Sequence, residues 1–226
     1  MIETATDGGV RVVTLDRPDR RNALTPAALD ALEAAVAGAD VPVVFLRGAG
    51  SAFCAGADLD AVAALDGRDA AAAFARRGQE VASTIADADA VVVAGIDGPA
   101  RGGGVELALA CDVRVATPEA TFAETGATIG LFGAWGGTAR LPAVVGLGEA
   151  MDLALSGRVL DADEALRTGL VSRIVDDPRA VAAEIAANDP EALRVIKNRL
   201  RDDAERGVQE RREAEAFADL HADFER

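Results

Sequence analysis

The chain has 226 residues, a length that one hydrophobic core can serve. Half of them are hydrophobic but only 4% are aromatic and none is tyrosine, so the apolar content rests on Ala, Val and Leu. A net charge of −15 argues against a nucleic-acid partner, because neutralising phosphates takes clustered Lys and Arg. No uninterrupted apolar run reaches the roughly 20 residues of a membrane span. The start, Met1-Ile2-Glu3-Thr4, lacks the basic-then-apolar pattern of a secretory signal, so the expected location is the cytoplasm, away from membranes.

In chain order, Val10-Arg11-Val12-Val13-Thr14-Leu15 is β-branched and partly alternating, which predicts a strand. Thr25-Pro26 then opens an Ala/Leu-rich helix over 25–37, with Thr as N-cap and Pro at the first helical position. The apolar run 41–46, ended by Gly48, predicts a buried strand. An Ala-rich helix follows over 69–87, and 90–96 predicts the next buried strand, broken by the glycine-rich 98–104. Residues 105–111 read as a helix and 112–116 as a strand. The second half turns helical at 148–156, 162–168, 178–187 and from 190 onward, interrupted by one strand at 169–175. Strand–turn–helix repeats with a helical end predict an α/β architecture.

Residue chemistry narrows the function. Cys54 and Cys111 lie in small or apolar runs without metal-ligand spacing, which predicts two reduced thiols. His221, the single histidine, sits in an acidic tail near the C-terminus, so catalysis falls to carboxylates and backbone amides, and no metal site is expected. Two glycine-rich segments, 48–59 and 98–107, each follow a buried strand, where backbone N–H groups can point at a ligand. Neither matches GxxxxGK[ST], and no GxGxxG fingerprint has its acidic partner, so a nucleotide-phosphate loop is disfavoured. Two converging donor loops instead suit an oxyanion.

Arg17-Pro18-Asp19-Arg20-Arg21-Asn22-Ala23-Leu24, Phe53-Cys54-Ala55-Gly56-Ala57-Asp58-Leu59 and Gly102-Gly103-Gly104-Val105-Glu106-Leu107-Ala108-Leu109-Ala110-Cys111-Asp112 resemble, in order and spacing, the crotonase (enoyl-CoA hydratase/isomerase) superfamily. So do Ile129-Gly130-Leu131, Gly136-Gly137-Thr138-Ala139-Arg140-Leu141 and Gly169-Leu170-Val171, so the resemblance spans about residues 15–196. It implies a crotonase-like spiral of ββα units over 1–175, with a C-terminal helical trimerisation region over 176–226 and a homotrimer or a hexamer of paired trimers. It implies an acyl-CoA substrate with no cofactor beyond that coenzyme A. Ala57 and Gly103 would donate to the thioester oxygen, and Ala55, Ala57, Asp58, Leu59, Asp60 and Gly103 would border the CoA ester.

By the same resemblance Glu106 is an acid/base, about one helical turn past Gly103. Burial would raise its pKa and a helix N-terminus would lower it. The family's second hydratase glutamate falls at Gly126, which cannot transfer a proton, and Glu124 stands two positions earlier as a candidate replacement. Gly at this place also resembles the dihydroxynaphthoyl-CoA synthase branch, whose pattern lacks a glutamate at 106. Phe132 and Trp135 stand where relatives carry small residues, as walls of the acyl pocket or as packing. Asp112 and Arg140 read as structural partners and Lys197 as a surface lysine. The expected enzyme is an enoyl-CoA hydratase or isomerase working through a stabilised enolate. Decarboxylation, C–C bond formation and a non-catalytic acyl-CoA-binding protein stand as alternatives. All but one of the 23 basic residues are arginine. That acidic, lysine-poor, alanine-rich composition resembles proteins of salt-loving organisms, in which salt screens self-repulsion.

Overall fold

The computed structural model describes residues 1–222 and Phe224. Its frame is a six-stranded sheet in the order β1 (Ile2–Asp7), β2 (Val10–Leu15), β3 (Val43–Gly48), β4 (Val91–Ile96), β6 (Val113–Ala116) and β9 (Arg173–Ile174). β1 and β2 form an antiparallel hairpin, and every other pair is parallel. β5 (Pro99–Arg101), β7 (Thr121–Ala123) and β8 (Leu160–Asp161) make a second, three-stranded sheet.

The central strands are buried on both faces, which is why they read as unbroken apolar runs. Side chains alternate across the sheet, so Val44, Leu46, Val92, Ala94 and Ile96 enter one core while Val43, Phe45, Val91 and Val93 enter another. The first core is roofed by α1 (Pro26–Ala37), α3 (Gly67–Asp87) and α4 (Gly103–Ala110). The second is closed by α8 (Pro178–Ala186), through Val181 and Ala182. The segment after residue 175 therefore begins as part of the core. Gly95 in β4 is where that packing is tightest, since a Cβ there would lie 2.4 Å from the Phe45 ring.

Local signals explain the helix starts. The Thr25 hydroxyl accepts a hydrogen bond from the Ala28 N–H at 3.2 Å and Pro26 opens α1. Asp161 and Glu164 form a reciprocal capping box on α7 (Ala162–Arg167). The elements that the sequence reading passed over are β1, the short strands of the second sheet, α2 (Leu59–Ala63) and α5 (Gly137–Val145). The strand expected over 169–175 pairs only at Arg173–Ile174, and 98–104 holds β5 as well as a turn.

After α6 (Leu147–Ser156), α7 and α8, two further helices follow, α9 (Pro190–Leu200) and α10 (Arg206–Ala222). α9 is tied to the sheet through Lys197, and this corrects the reading of Lys197 as a surface residue. It is only 6% exposed; its ammonium donates to the Ala90 carbonyl at 2.8 Å and pairs with Asp112 at 2.9 Å. Asp112 in turn accepts from the Val92 N–H and from Arg201, so it is a structural partner as expected. A long apolar stem lets lysine cross the core edge before its charge is needed.

Candidate active site

Parallel pairing sends the loops after β3 and β4 out on the same side of the sheet, which is how the two glycine-rich segments meet. They are joined by backbone hydrogen bonds. Phe53 N–H donates to the Pro99 carbonyl at 3.1 Å and Arg101 N–H to the Cys54 carbonyl at 2.9 Å. This bridge sets Cys54 beside Ala100, so Ala57 and Gly103 each lie three residues further along neighbouring tracks. Gly56 follows the bridge with a φ of 86°, and a Cβ on it would lie 2.9 Å from the Gly103 nitrogen. Glycine is required there, because the two backbones touch.

Gly103 is the first residue of α4, where N–H groups have no partner within the helix. Gly102 before it has a φ of 47°, donates to Ala123 and accepts from Glu106. On the other track, Leu24 N–H bonds to Gly56 and Asp58 N–H to Leu24, which fixes the peptide planes on both sides of Ala57. The first track is held by Asn22, which the sequence gives only as part of a motif. Its amide donates to the Ala49, Ala52 and Phe53 carbonyls while its Oδ1 accepts from Arg17 N–H. Asp58 is 3% exposed and is occupied as the N-cap of α2 and as the partner of Arg17 at 2.5 Å. Asp60 pairs with Arg20 at the surface, Leu59 is exposed and Ala55 is half-buried. The Cys54 thiol is buried and pushed up to about 12, and Cys111 likewise, so both are protonated, unpaired thiols.

Glu106 sits on the first turn of α4, buried to 1% exposure. Its Oε1 accepts the N–H groups of Trp135 at 2.9 Å and Gly137 at 2.7 Å. A Cβ at Gly133 would lie 2.8 Å from the carboxylate carbon and one at Gly137 2.6 Å from Oε1, so both glycines make room for this acid. Burial raises its pKa, and the two N–H bonds only partly offset that. The balance that composition could not settle therefore falls on the raised side.

Glu124 follows β7 and points into the same cavity, 8% exposed. Burial, together with the charge of Glu106, pushes its carboxyl up to about 8. Among the described residues its Oε1 has no hydrogen-bond partner. A Cβ on Gly126 would lie 2.6 Å from the Phe132 Cα, so the returning 131–132 backbone occupies the space a side chain would need.

The cavity around the two acids measures about 210 Å³. Phe132 lines it and is exposed at the rim. Trp135 is placed elsewhere, buried with its ring against Gly78 and Gly103 and edge-on to Phe74 at 5.9 Å. It supports Gly103 from behind and reaches Glu106 through its own N–H. Arg140 donates to the Trp135 carbonyl at 3.2 Å, which holds that turn. Among the described residues there is no group of His, Cys, Asp or Glu that could hold a metal ion, and no helix is long and apolar enough to cross a membrane.

The parallel sheet, its three-stranded companion and the helices around them form an α/β fold of the crotonase class. The sequence pattern of the enoyl-CoA hydratase/isomerase family matches residues 5–225, and the chain belongs to that family. It is 39% identical over 186 residues to a protein of Rhizobium meliloti named probable enoyl-CoA hydratase, covering 80% of this chain and 71% of that one. A short-chain-enoyl-CoA hydratase of Clostridium acetobutylicum is 34% identical over 205 residues, covering 84% and 77%. Among solved structures, an enoyl-CoA hydratase from Bacillus anthracis superposes with a TM-score of 0.90 at 32% identity, over 96% of this chain and 89% of that one.

Proposed function

We propose that the protein hydrates a 2-enoyl-CoA thioester, with Glu106 as base and Glu124 as acid. The observation that carries this reading is the pair itself: two buried carboxyls in one cavity, one held by two N–H donors, the other with no hydrogen-bond partner at its Oε1 among the described residues and a pKa of about 8. At neutral pH Glu124 keeps its proton. Glu106, with its Oε1 occupied by N–H donors, is the member favoured as the anion. Glu106 takes a proton from water as the oxygen bonds to the β-carbon. The electron pair of the double bond moves onto the thioester oxygen, where the N–H groups of Ala57 and Gly103 stabilise it, each worth about 3 kcal/mol. Glu124 then delivers its proton to the α-carbon, which restores the carbonyl. Ala55 to Asp60 border the CoA moiety in this reading, and no step is assigned to a metal or to another cofactor. Isomerisation needs only one of the two acids, so the pair favours hydration.

The test follows the enone absorbance of crotonyl-CoA in the purified protein and two variants. Glu106→Gln and Glu124→Gln are each expected to lower kcat for hydration by about 100- to 10,000-fold, because each deletes one proton transfer. If Glu124→Gln hydrates at the wild-type rate, Glu124 is not the acid. Tight binding of crotonyl-CoA with no decay in the wild type would instead favour an acyl-CoA-binding protein.

A further inference from the structure

The indole of Trp135 is wedged between two helices at places where neither carries a side chain. Its five-membered ring lies where a side chain on Gly78 of α3 would be, and its six-membered ring where one on Gly103 of α4 would be, since a Cβ at either glycine would overlap it. The residue is 3% exposed, and Phe74 of α3 meets the ring edge-on. Gln79 of α3 ties down the same turn by donating to the Ala134 carbonyl at 2.9 Å. Residues 102–104 are three consecutive glycines, so the start of α4 has no side chain of its own with which to pack. Gly103 is confined instead by what surrounds it: Gly56 on the adjoining track, and the indole in the place of its own side chain.

We propose that the Trp135 side chain is a positioning residue, a rigid wedge that holds the Gly103 N–H in place by bracing the start of α4 against α3. The inference rests on the reading above in which Gly103 donates to the thioester oxygen, and adds what keeps that donor aimed. A donor of this kind acts only if it is already in place when charge develops, and a misplacement of about 1 Å can cost about 100-fold in rate. Consecutive glycines permit such a displacement, and the close-packed ring prevents it. Trp135→Phe shortens the ring, which keeps packing against Gly78 and Phe74 but leaves a gap behind Gly103. The N–H that Trp135 gives to Glu106 belongs to the backbone and survives a change of side chain, so the ring can be tested apart from the acid.

The experiment records infrared difference spectra of saturating butyryl-CoA, isotope-labelled at its thioester carbonyl, so that no turnover is needed. Two donors polarise the bound carbonyl and are expected to move its stretch to lower wavenumber in the wild type. Trp135→Phe is expected to lose about half of that shift, because one of the two donors is loosened. With crotonyl-CoA the same variant is expected to lower kcat about 10- to 100-fold while KM stays within about twofold. Phe74→Leu, which removes only the edge-on support, is expected to give a smaller loss in the same direction and carries the comparison should Trp135→Phe fail to fold. Lys197→Ala weakens the fold away from the site and is expected to keep the full shift. A full shift in Trp135→Phe, or in Phe74→Leu where that variant stands in for it, overturns the inference, as does an equal loss in Lys197→Ala. No shift in the wild type overturns the oxyanion reading and the inference with it. A shift that responds as expected, in a protein that leaves crotonyl-CoA unchanged, sinks hydration and leaves the positioning of Gly103 standing.

Discussion

Glu124 and Glu106 share one low-dielectric cavity, and the consequence at the scale of single residues is a pH dependence. Glu124 must be protonated to act as acid, and its carboxyl titrates at about 8. The rate of hydration is therefore expected to fall as pH rises through about 8, with an acid limb set by protonation of Glu106, whose pKa is also raised. Because the two charges interact, both limbs belong to the pair. Stability carries the same signature. A carboxyl whose folded pKa lies above its unfolded value binds more protons when folded, so its contribution is full below about pH 4 and is lost as pH rises through about 8. Urea midpoints measured across this range are expected to decline with pH in the wild type, and to decline less in Glu124→Gln. A profile identical in the two proteins would show that Glu124 titrates normally. The first-turn position of Glu106 on its helix was readable from its motif. The packing that closes off a side chain at Gly126 was not, because it depends on a backbone that returns at Phe132.

Among elements, α9 shows how one buried charge can fix a helix against a sheet. Lys197 and Asp112 are 85 positions apart by sequence order, and their ion pair stands at the end of β4 where α9 crosses. Removing one partner leaves the other buried and uncompensated, which typically costs 3–5 kcal/mol; here the Val92 N–H and Arg201 still serve Asp112, so the lower end applies. Lys197→Ala is expected to lower the unfolding free energy by about 3 kcal/mol in denaturant titrations. A loss under about 0.5 kcal/mol would mean that α9 is held by its apolar contacts alone. The sequence suggested a surface lysine because Lys is usually exposed, and nothing local reveals that the Ala90 carbonyl, just before β4, lies within its reach.

At the scale of the whole molecule, a charge of −15 sits on a surface where many arginines are already paired with acids, such as Arg77 with Glu33 and Asp30. The pairs leave the acidic excess unneutralised. Screening within about 3 Å at molar salt weakens exposed attractions and repulsions alike, and with this excess the repulsive sum dominates. Melting temperature is expected to rise by about 3 °C or more between dilute buffer and molar KCl, equivalent to about 1 kcal/mol for a chain of this size. A flat or falling curve would show that the excess charge does not strain the fold.

What the sequence by itself determined was whatever rests on local order. Apolar runs such as Val43–Gly48 and Val91–Ile96 specify strands, Thr25-Pro26 specifies a helix start, and the spacing of the glycine motifs specifies the family. What only the tertiary structure decided was which surfaces face each other. Trp135 and Phe132 are three residues apart, yet one backs Gly103 and the other lines the cavity, and no composition or periodicity separates them. The same holds for Glu124, whose inward direction depends on how the strand Thr121–Ala123 pairs with Pro99–Arg101. Hydrophobic pattern and turn chemistry act over a few residues and are written in the sequence. The protonation of a buried acid depends on how far its neighbours exclude water and on the charge they carry, and those neighbours are brought together only by folding.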